Sequence, residues 1–107
     1  MKIITGQYGG GKTKQLIEMA SEKPGTCIIC SSVEAADRIR DQARNTGLPV
    51  PYILTVKQLA KFLPTSVREV YFDDIEEILE ALAGHAHVGA MTIPIRSQPT
   101  MRGENDD

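Results

Sequence analysis

Short apolar, β-prone runs alternate with helical patterns along this chain, and that alternation restricts the fold more than any other feature. The runs begin near Lys2, Thr26, Pro51, Glu69 and Met91, and the stretches between them carry apolar residues at helical spacing. Strands that are each followed by a helix pair in parallel through right-handed crossovers. The sequence therefore predicts an α/β fold, with a small parallel β-sheet of about five strands and helices on both faces.

The length of 107 residues suits one domain with one modest core. We predict a single domain over residues 1–98 and a flexible acidic tail over 99–107. The formal net charge of −2 gives no general attraction to nucleic acid or to membranes. No apolar run approaches the roughly 20 residues of a membrane span, and a secretory signal pattern is missing, so we expect a cytoplasmic protein.

Local signals mark where helices begin. Ser31 with Glu34, and Thr55 with Gln58, have the spacing of a capping box, and each pair follows an apolar run. The clearest amphipathic pattern spans residues 75–82. The two cysteines lie in TCIIC, which reads as a strand; residues three apart on a strand point to opposite faces, so we expect Cys27 and Cys30 to be separate, reduced core thiols.

Residues 6–13 read GQYGGGKT and lie between the first apolar run and the first helical pattern. Clustered glycines let successive backbone N–H groups turn inward and approach phosphate oxygens, and the following helix adds its free amides and positive dipole end. A lysine at position 12 would reach the β- and γ-phosphates, and a threonine at position 13 would hold Mg²⁺. We predict these nucleotide-binding residues: Gly6, Gln7, Tyr8, Gly9, Gly10, Gly11, Lys12, Thr13 and Lys14.

This stretch fits the Walker A motif, G-x-x-x-x-G-K-[ST], and through it the chain resembles the P-loop NTPases. Residues 70–74, VYFDD, look like the Walker B element of that family. The resemblance implies that Asp73 supports Mg²⁺, usually through water. In the RecA-like branch a glutamate follows and orients the attacking water, and Asp74 stands at that position. Asp74 with Glu77 also has the spacing of a helix N-cap, and the two roles are not exclusive.

Two strand–helix units separate the motifs, and with the acidic pair this layout looks closest to a minimal RecA-like or superfamily 1 helicase ATPase core. Residues 52–63, YILTVKQLAKFL, are similar to such cores, although no second RecA-like domain is present. The opening also resembles type II thymidine kinases, whose later zinc-binding cysteines have no counterpart here. The resemblance makes Gln98 a possible γ-phosphate sensor, with an ordinary surface residue as the alternative.

Other polar groups favour simpler interpretations. His85 and His87 lie without a cysteine or acidic partner at ligand spacing, so we expect a solvent-facing loop. Basic residues on the second and third helices could line a nucleic-acid surface. Acidic residues interrupt them and aromatic residues do not, so a solvated face is favoured. These basic residues are Arg38, Arg40, Arg44, Lys57 and Lys61.

The sequence thus predicts a nucleotide-binding hydrolase, a minimal P-loop ATPase that binds Mg·ATP and turns over slowly, with Lys12 and Asp74 as catalytic residues. No arginine finger can be assigned, so a neighbouring subunit or a protein partner would supply one. DNA replication, recombination or packaging, in a phage or mobile element, follows only by analogy. The alternatives are a nucleotide-binding regulator without turnover and a nucleoside or nucleotide kinase.

Overall fold

A computed structural model of the chain describes residues 1–6 and 11–94. Three strands form one parallel sheet in the order β2-β1-β3, with helices packed against it. The elements, in chain order, are α1 Lys12–Glu22, β1 Thr26–Cys30, α2 Val33–Asn45, β2 Tyr52–Thr55, α3 Val56–Lys61, β3 Glu69–Phe72 and α4 Ile75–Ala83. The predicted α/β class and parallel pairing are confirmed.

The central strand β1 organises two apolar layers. All five of its residues are buried, as expected for a parallel strand that is covered on both faces. On one face Ile28 and Cys30 pack with residues of α1 and α2, and on the other Cys27 and Ile29 pack with residues of α3 and α4. Both cysteines are free, and burial raises the pKa of each thiol. The prediction of two core thiols on opposite faces is confirmed.

The prediction of about five strands is wrong for the described residues. In the segment Lys2–Thr5 only Ile3 makes an isolated bridge, and Met91 to Pro94 form no strand. Pro94 has no N–H to donate to a ladder, which disfavours a strand there. Ile95, the end of the predicted fifth strand, lies outside the described residues, as does the tail 99–107.

The N-terminal segment nevertheless lies beside β3. The pKa of Glu69, which begins β3, is lowered chiefly by a hydrogen bond from Lys23 and further by the positive charge of the amino terminus. Ile4 packs against the same apolar cluster as Tyr71. At the other end of β3, Asp73 contacts the start of α1. The amino terminus therefore lies near the start of β3, and Ile4 lies on the apolar side that Tyr71 also faces.

The two capping boxes predicted from the sequence have different outcomes in the structure. Thr55 and Gln58 form the full capping box at α3. At α2 the N-cap is Ser32, which accepts the amide of Ala35, so the predicted pair of Ser31 with Glu34 is shifted by one residue. The Ser31 hydroxyl therefore takes no part in the α2 cap. Within the two described ranges, no helix has the length and apolar character needed to cross a membrane.

Candidate phosphate-binding site

Helix α1 has a glycine at its N-cap and no acidic residue in its first turn. Gly11 is the N-cap with φ 84°, a left-handed conformation that glycine adopts at little cost. A Cβ there would meet nothing within 4 Å, so the requirement is conformational and not steric. The first intrahelical bond runs from the Gln15 amide to the Gly11 carbonyl at 3.0 Å. The first-turn amides lack helical carbonyl partners, and the positive end of the helix dipole faces the same side.

Lys12 folds back over the chain that precedes the helix. Its ammonium donates a hydrogen bond to the Gly6 carbonyl at 3.0 Å. A Cβ added at Gly6 would lie 3.7 Å from Lys12 Cδ, so the lysine side chain passes close to this backbone. The positive charge of Lys12 is thereby held at Gly6, where the glycine-rich stretch begins.

Thr13 on α1 contacts Asp73, the residue directly after β3, although the two residues are 60 positions apart. The Thr13 hydroxyl donates to the Asp73 carboxylate, with Oγ1 3.0 Å from Oδ2 and 3.2 Å from Oδ1. The backbone fixes this position, because the Asp73 amide donates to the Ile29 carbonyl at 2.9 Å and so extends the β1–β3 ladder by one residue. The structure thus brings the threonine of the first motif to the first aspartate of the second.

Asp73 lies in an environment that disfavours its charge. Burial is the largest cause that raises the pKa of its carboxyl above the ordinary 3.8. The hydrogen bond from Thr13 and the charge of Lys12 act in the opposite direction, whereas the carboxylates of Asp74 and Glu77 raise the pKa further. A cation placed here would favour the ionised carboxylate and so offset the effects of burial and of the neighbouring carboxylates.

Asp74 is the N-cap of α4. Its Oδ1 accepts the Glu77 amide at 3.2 Å, and its φ of 61° is the only positive value for a non-glycine residue within the described ranges. Aspartate tolerates this region better than most residues, yet the conformation is unfavourable for an L-amino acid. The capping interpretation of Asp74 is therefore present in the structure. The cap uses Oδ1, so Oδ2 is the oxygen through which Asp74 could orient a water.

A contact at the same sheet edge was not foreseen from the sequence. The hydroxyl of Ser31, directly after β1, donates to Glu77 Oε1 at 3.1 Å, and Arg38 lies 4.0 Å from the same oxygen. Ser31 follows β1 as Asp73 follows β3, and the carboxyl ends of parallel strands share one edge. That shared position is the signal from which the contact could have been found.

The remaining predicted residues lie either on the surface or outside the described residues. Lys14 is exposed on the first turn of α1. The predicted positions Gln7, Tyr8, Gly9, Gly10 and Gln98 lie outside the described residues. On α2, two exposed i,i+3 ion pairs are present, Arg40 with Asp37 and Arg44 with Asp41. These pairs fit the predicted solvated face. His85 and His87 are exposed, as predicted for a solvent-facing loop.

The donor set suits magnesium shared with a nucleotide better than a cation held by protein alone. Within residues 1–6 and 11–94, no group of three or more His, Cys, Asp or Glu side chains could hold a metal ion. Mg²⁺ commonly takes one or two protein oxygens and completes its shell with phosphate oxygens and water. The Thr13 hydroxyl and the Asp73 carboxylate provide two such oxygens side by side.

Comparison of the chain with protein-family models, with curated proteins and with solved structures gives no match. Function is therefore inferred from the residues and geometry of the chain itself.

Proposed function

We propose that this protein is a minimal P-loop NTPase of the cytoplasm that binds Mg·ATP and hydrolyses it slowly. The single observation that carries the proposal is the hydrogen bond from Thr13 to Asp73. A threonine after a glycine-rich turn, or an aspartate after a strand, has many ordinary explanations. Their direct contact across 60 residues is the arrangement that two motifs sharing one magnesium ion require.

The side chains divide the work of binding. The amides at the start of α1 donate hydrogen bonds to the anionic phosphate oxygens, and Lys12 moves from the Gly6 carbonyl to the β- and γ-phosphate oxygens. Mg²⁺, when bound, neutralises negative charge on those oxygens, and Thr13 and Asp73 are the residues that would hold it. Asp73 keeps its carboxylate oriented through the Thr13 hydroxyl, so little reorganisation is needed on loading.

Hydrolysis transfers the γ-phosphoryl group to water. The water oxygen bonds to the γ-phosphorus, the bond to the β–γ bridging oxygen breaks, and ADP leaves with that electron pair. Lys12 stabilises the charge of the transition state, and Asp74 Oδ2 orients the water. Aspartate is one methylene shorter than glutamate and its other oxygen holds the cap, so positioning is imperfect and turnover is slow.

A regulator that binds nucleotide without turnover is the second candidate. The observation in its favour is that Asp74 is engaged as the α4 cap, which restrains its carboxylate. The two candidates share the binding site and differ only in phosphate release. Service in DNA replication, recombination or packaging, with a partner that completes the site, remains an analogy with the RecA-like branch.

The test compares wild type with Lys12→Ala in calorimetric titrations with Mg·ATP. We expect Lys12→Ala to weaken binding at least tenfold, about 1.4 kcal/mol, because the main positive charge of the site is lost. The matched control is Lys23→Ala, which removes a lysine next to the other end of α1. Lys23 is exposed and pairs with Glu69, so this control changes net charge equally without touching the site.

Phosphate release is then measured with and without single-stranded DNA. Slow, Lys12-dependent release supports the ATPase, and tight binding with no release under either condition supports the regulator. Binding that Lys12→Ala leaves unchanged would contradict both candidates.

A further inference from the structure

The helices α3 and α4 carry exposed side chains of opposite charge. On α3, Lys57 and Lys61 are exposed one turn apart, and neither forms an ion pair in the described chain. We call these two lysines with Phe62 the basic face. Phe62 follows the helix in an extended conformation, and it is 67% exposed instead of continuing the predicted apolar side of α3.

On α4, Glu76 and Glu80 are exposed one turn apart, beside apolar side chains that the sheet does not cover. Glu80 accepts the Val88 amide at 3.5 Å and lies 3.8 Å from His87 Nδ1, and its side chain remains 49% exposed. We call these glutamates with Leu79 and Leu82 the acidic face. Leu82 is 58% exposed, whereas Ile78 on the neighbouring side of the helix is fully buried. Glu76, Leu79 and Glu80 also line a groove of about 690 Å³ between α4 and residues 88–91. Its volume is within the usual range for a site that accepts a bulky apolar group.

The two faces match in charge, in spacing and in apolar content. Each has two like charges at i and i+4, and each adds exposed apolar side chains next to them. Aromatic side chains that enter apolar pockets are the usual centres of protein interfaces, with charges at the rim. Helices α3 and α4 pack on the same side of the sheet, and no ion pair joins them within the described residues.

We propose that the basic face of one copy binds the acidic face of a second copy, with Phe62 entering the groove beside Leu79. The contact is heterologous, because each copy offers one face of each kind, so association continues into a chain or closes as a ring. The tail of the same chain is a poor occupant, since residues 99–107 contain three acidic residues and one arginine and would be repelled by Glu76 and Glu80. This proposal does not depend on nucleotide binding.

The test is sedimentation of the full chain without nucleotide, at low salt and over a wide range of concentration. We expect the average mass to rise with concentration past that of a dimer, or to stop at a closed ring, and to fall at high salt. Lys57→Glu with Lys61→Glu, and separately Glu76→Lys with Glu80→Lys, should each weaken association at least tenfold. The matched control is Glu18→Lys with Glu22→Lys on α1, two exposed glutamates at the same spacing, which should associate as wild type does.

Mixing the two charge-reversed proteins gives the decisive result. An acidic α3 then meets a basic α4, and the unchanged faces also match, so the mixture should regain association that each protein alone has lost. If a reversal prevents folding, as circular dichroism would show, Phe62→Ser takes its place, because Phe62 is exposed and its loss should weaken association alone. A wild-type chain that stays monomeric throughout would overturn the proposal. Association that Phe62→Ser leaves intact would also overturn it, as would a mixture of the two folded charge-reversed variants that does not associate.

Discussion

Each of the three strands is followed by a helix after at most two residues, and the turns after β2 and β3 start their helices in different ways. After β2, Thr55 caps α3 in an ordinary extended conformation with φ −76°. In its capping box the Thr55 hydroxyl accepts the Gln58 amide, and the Gln58 side chain accepts the Thr55 amide. After β3, Asp74 caps α4 with φ 61°, and the preceding Asp73 extends away to Thr13, 60 residues earlier in the chain.

The difference separates local stability from long-range placement. The Thr55 turn has the features of a helix start that serves only the fold. The Asp73–Asp74 turn accepts an unfavourable backbone angle, and it directs a partly buried carboxylate to a hydroxyl on another element. Strain of this kind persists where the surroundings enforce it, and it is a reason to suspect function at that turn and not at the other.

The largest expected effect comes from Asp73→Ala. We expect Mg²⁺-dependent ATP binding to weaken ten- to a hundredfold, about 1.4–2.7 kcal/mol, because a carboxylate that supports the metal is removed. Calorimetric titration with and without Mg²⁺ measures this. Affinity for ATP without Mg²⁺ should change far less, and an equal loss under both conditions would contradict the assigned role.

Asp74 should respond differently to alanine and to glycine. Asp74→Ala loses the cap and keeps the positive φ, so we expect the free energy of unfolding to fall by about 1–2 kcal/mol. Asp74→Gly accepts that φ freely and glycine is tolerated at N-caps, so its effect should stay within about 0.5 kcal/mol. Urea denaturation measures both, and alanine as well tolerated as glycine would show that the turn is not strained.

Thr55→Ala should affect stability alone. Removing the cap hydroxyl should cost about 1 kcal/mol, which lowers the melting temperature by about 4–8 °C in a domain of this size. Mg·ATP affinity, measured on the same sample below the transition, should match wild type. A loss of affinity at this position would remove the contrast between the two turns.

The smallest effect is a pH-dependent one at Asp73. Its raised pKa means that the folded chain binds the proton more tightly than the unfolded chain, so Asp73 favours folding below about 3.8, and this contribution is lost as pH rises through the raised pKa. Asp73→Asn stays neutral, so its melting temperature should exceed that of wild type by a margin that grows from acid to neutral pH. A margin that is constant or shrinks would show that burial is not the dominant cause.

The central elements could be predicted because each signal was local. The buried run of β1, the glycine and lysine at the start of α1 and the capping box at Thr55 are visible in a few consecutive residues. The prediction of the first and fifth strands is wrong because strand pairing depends on residues that are distant in the sequence. Lys2–Thr5 has strand-like residues, yet only Ile3 makes a bridge.

In the candidate site, the sequence indicated the residues but not their contacts. Thr13 and Asp73 were assigned to one metal by resemblance, and their hydrogen bond became visible only in the fold. Position 74 allowed two interpretations, and backbone geometry shows the cap. The sequence does not predict the contact between Ser31 and Glu77, because its capping pattern places Ser31 at the α2 N-cap, one residue before the actual N-cap Ser32.

The most direct test of the shared magnesium site is a double-mutant cycle on Mg·ATP affinity with Thr13→Val, Asp73→Ala and both together. Two residues that serve one ion act as a unit, so their effects should not add. We expect each single variant to weaken Mg²⁺-dependent binding and the double variant to be little weaker than the worse of the two. Fully additive losses, or single variants that bind Mg·ATP as wild type does, would contradict the account.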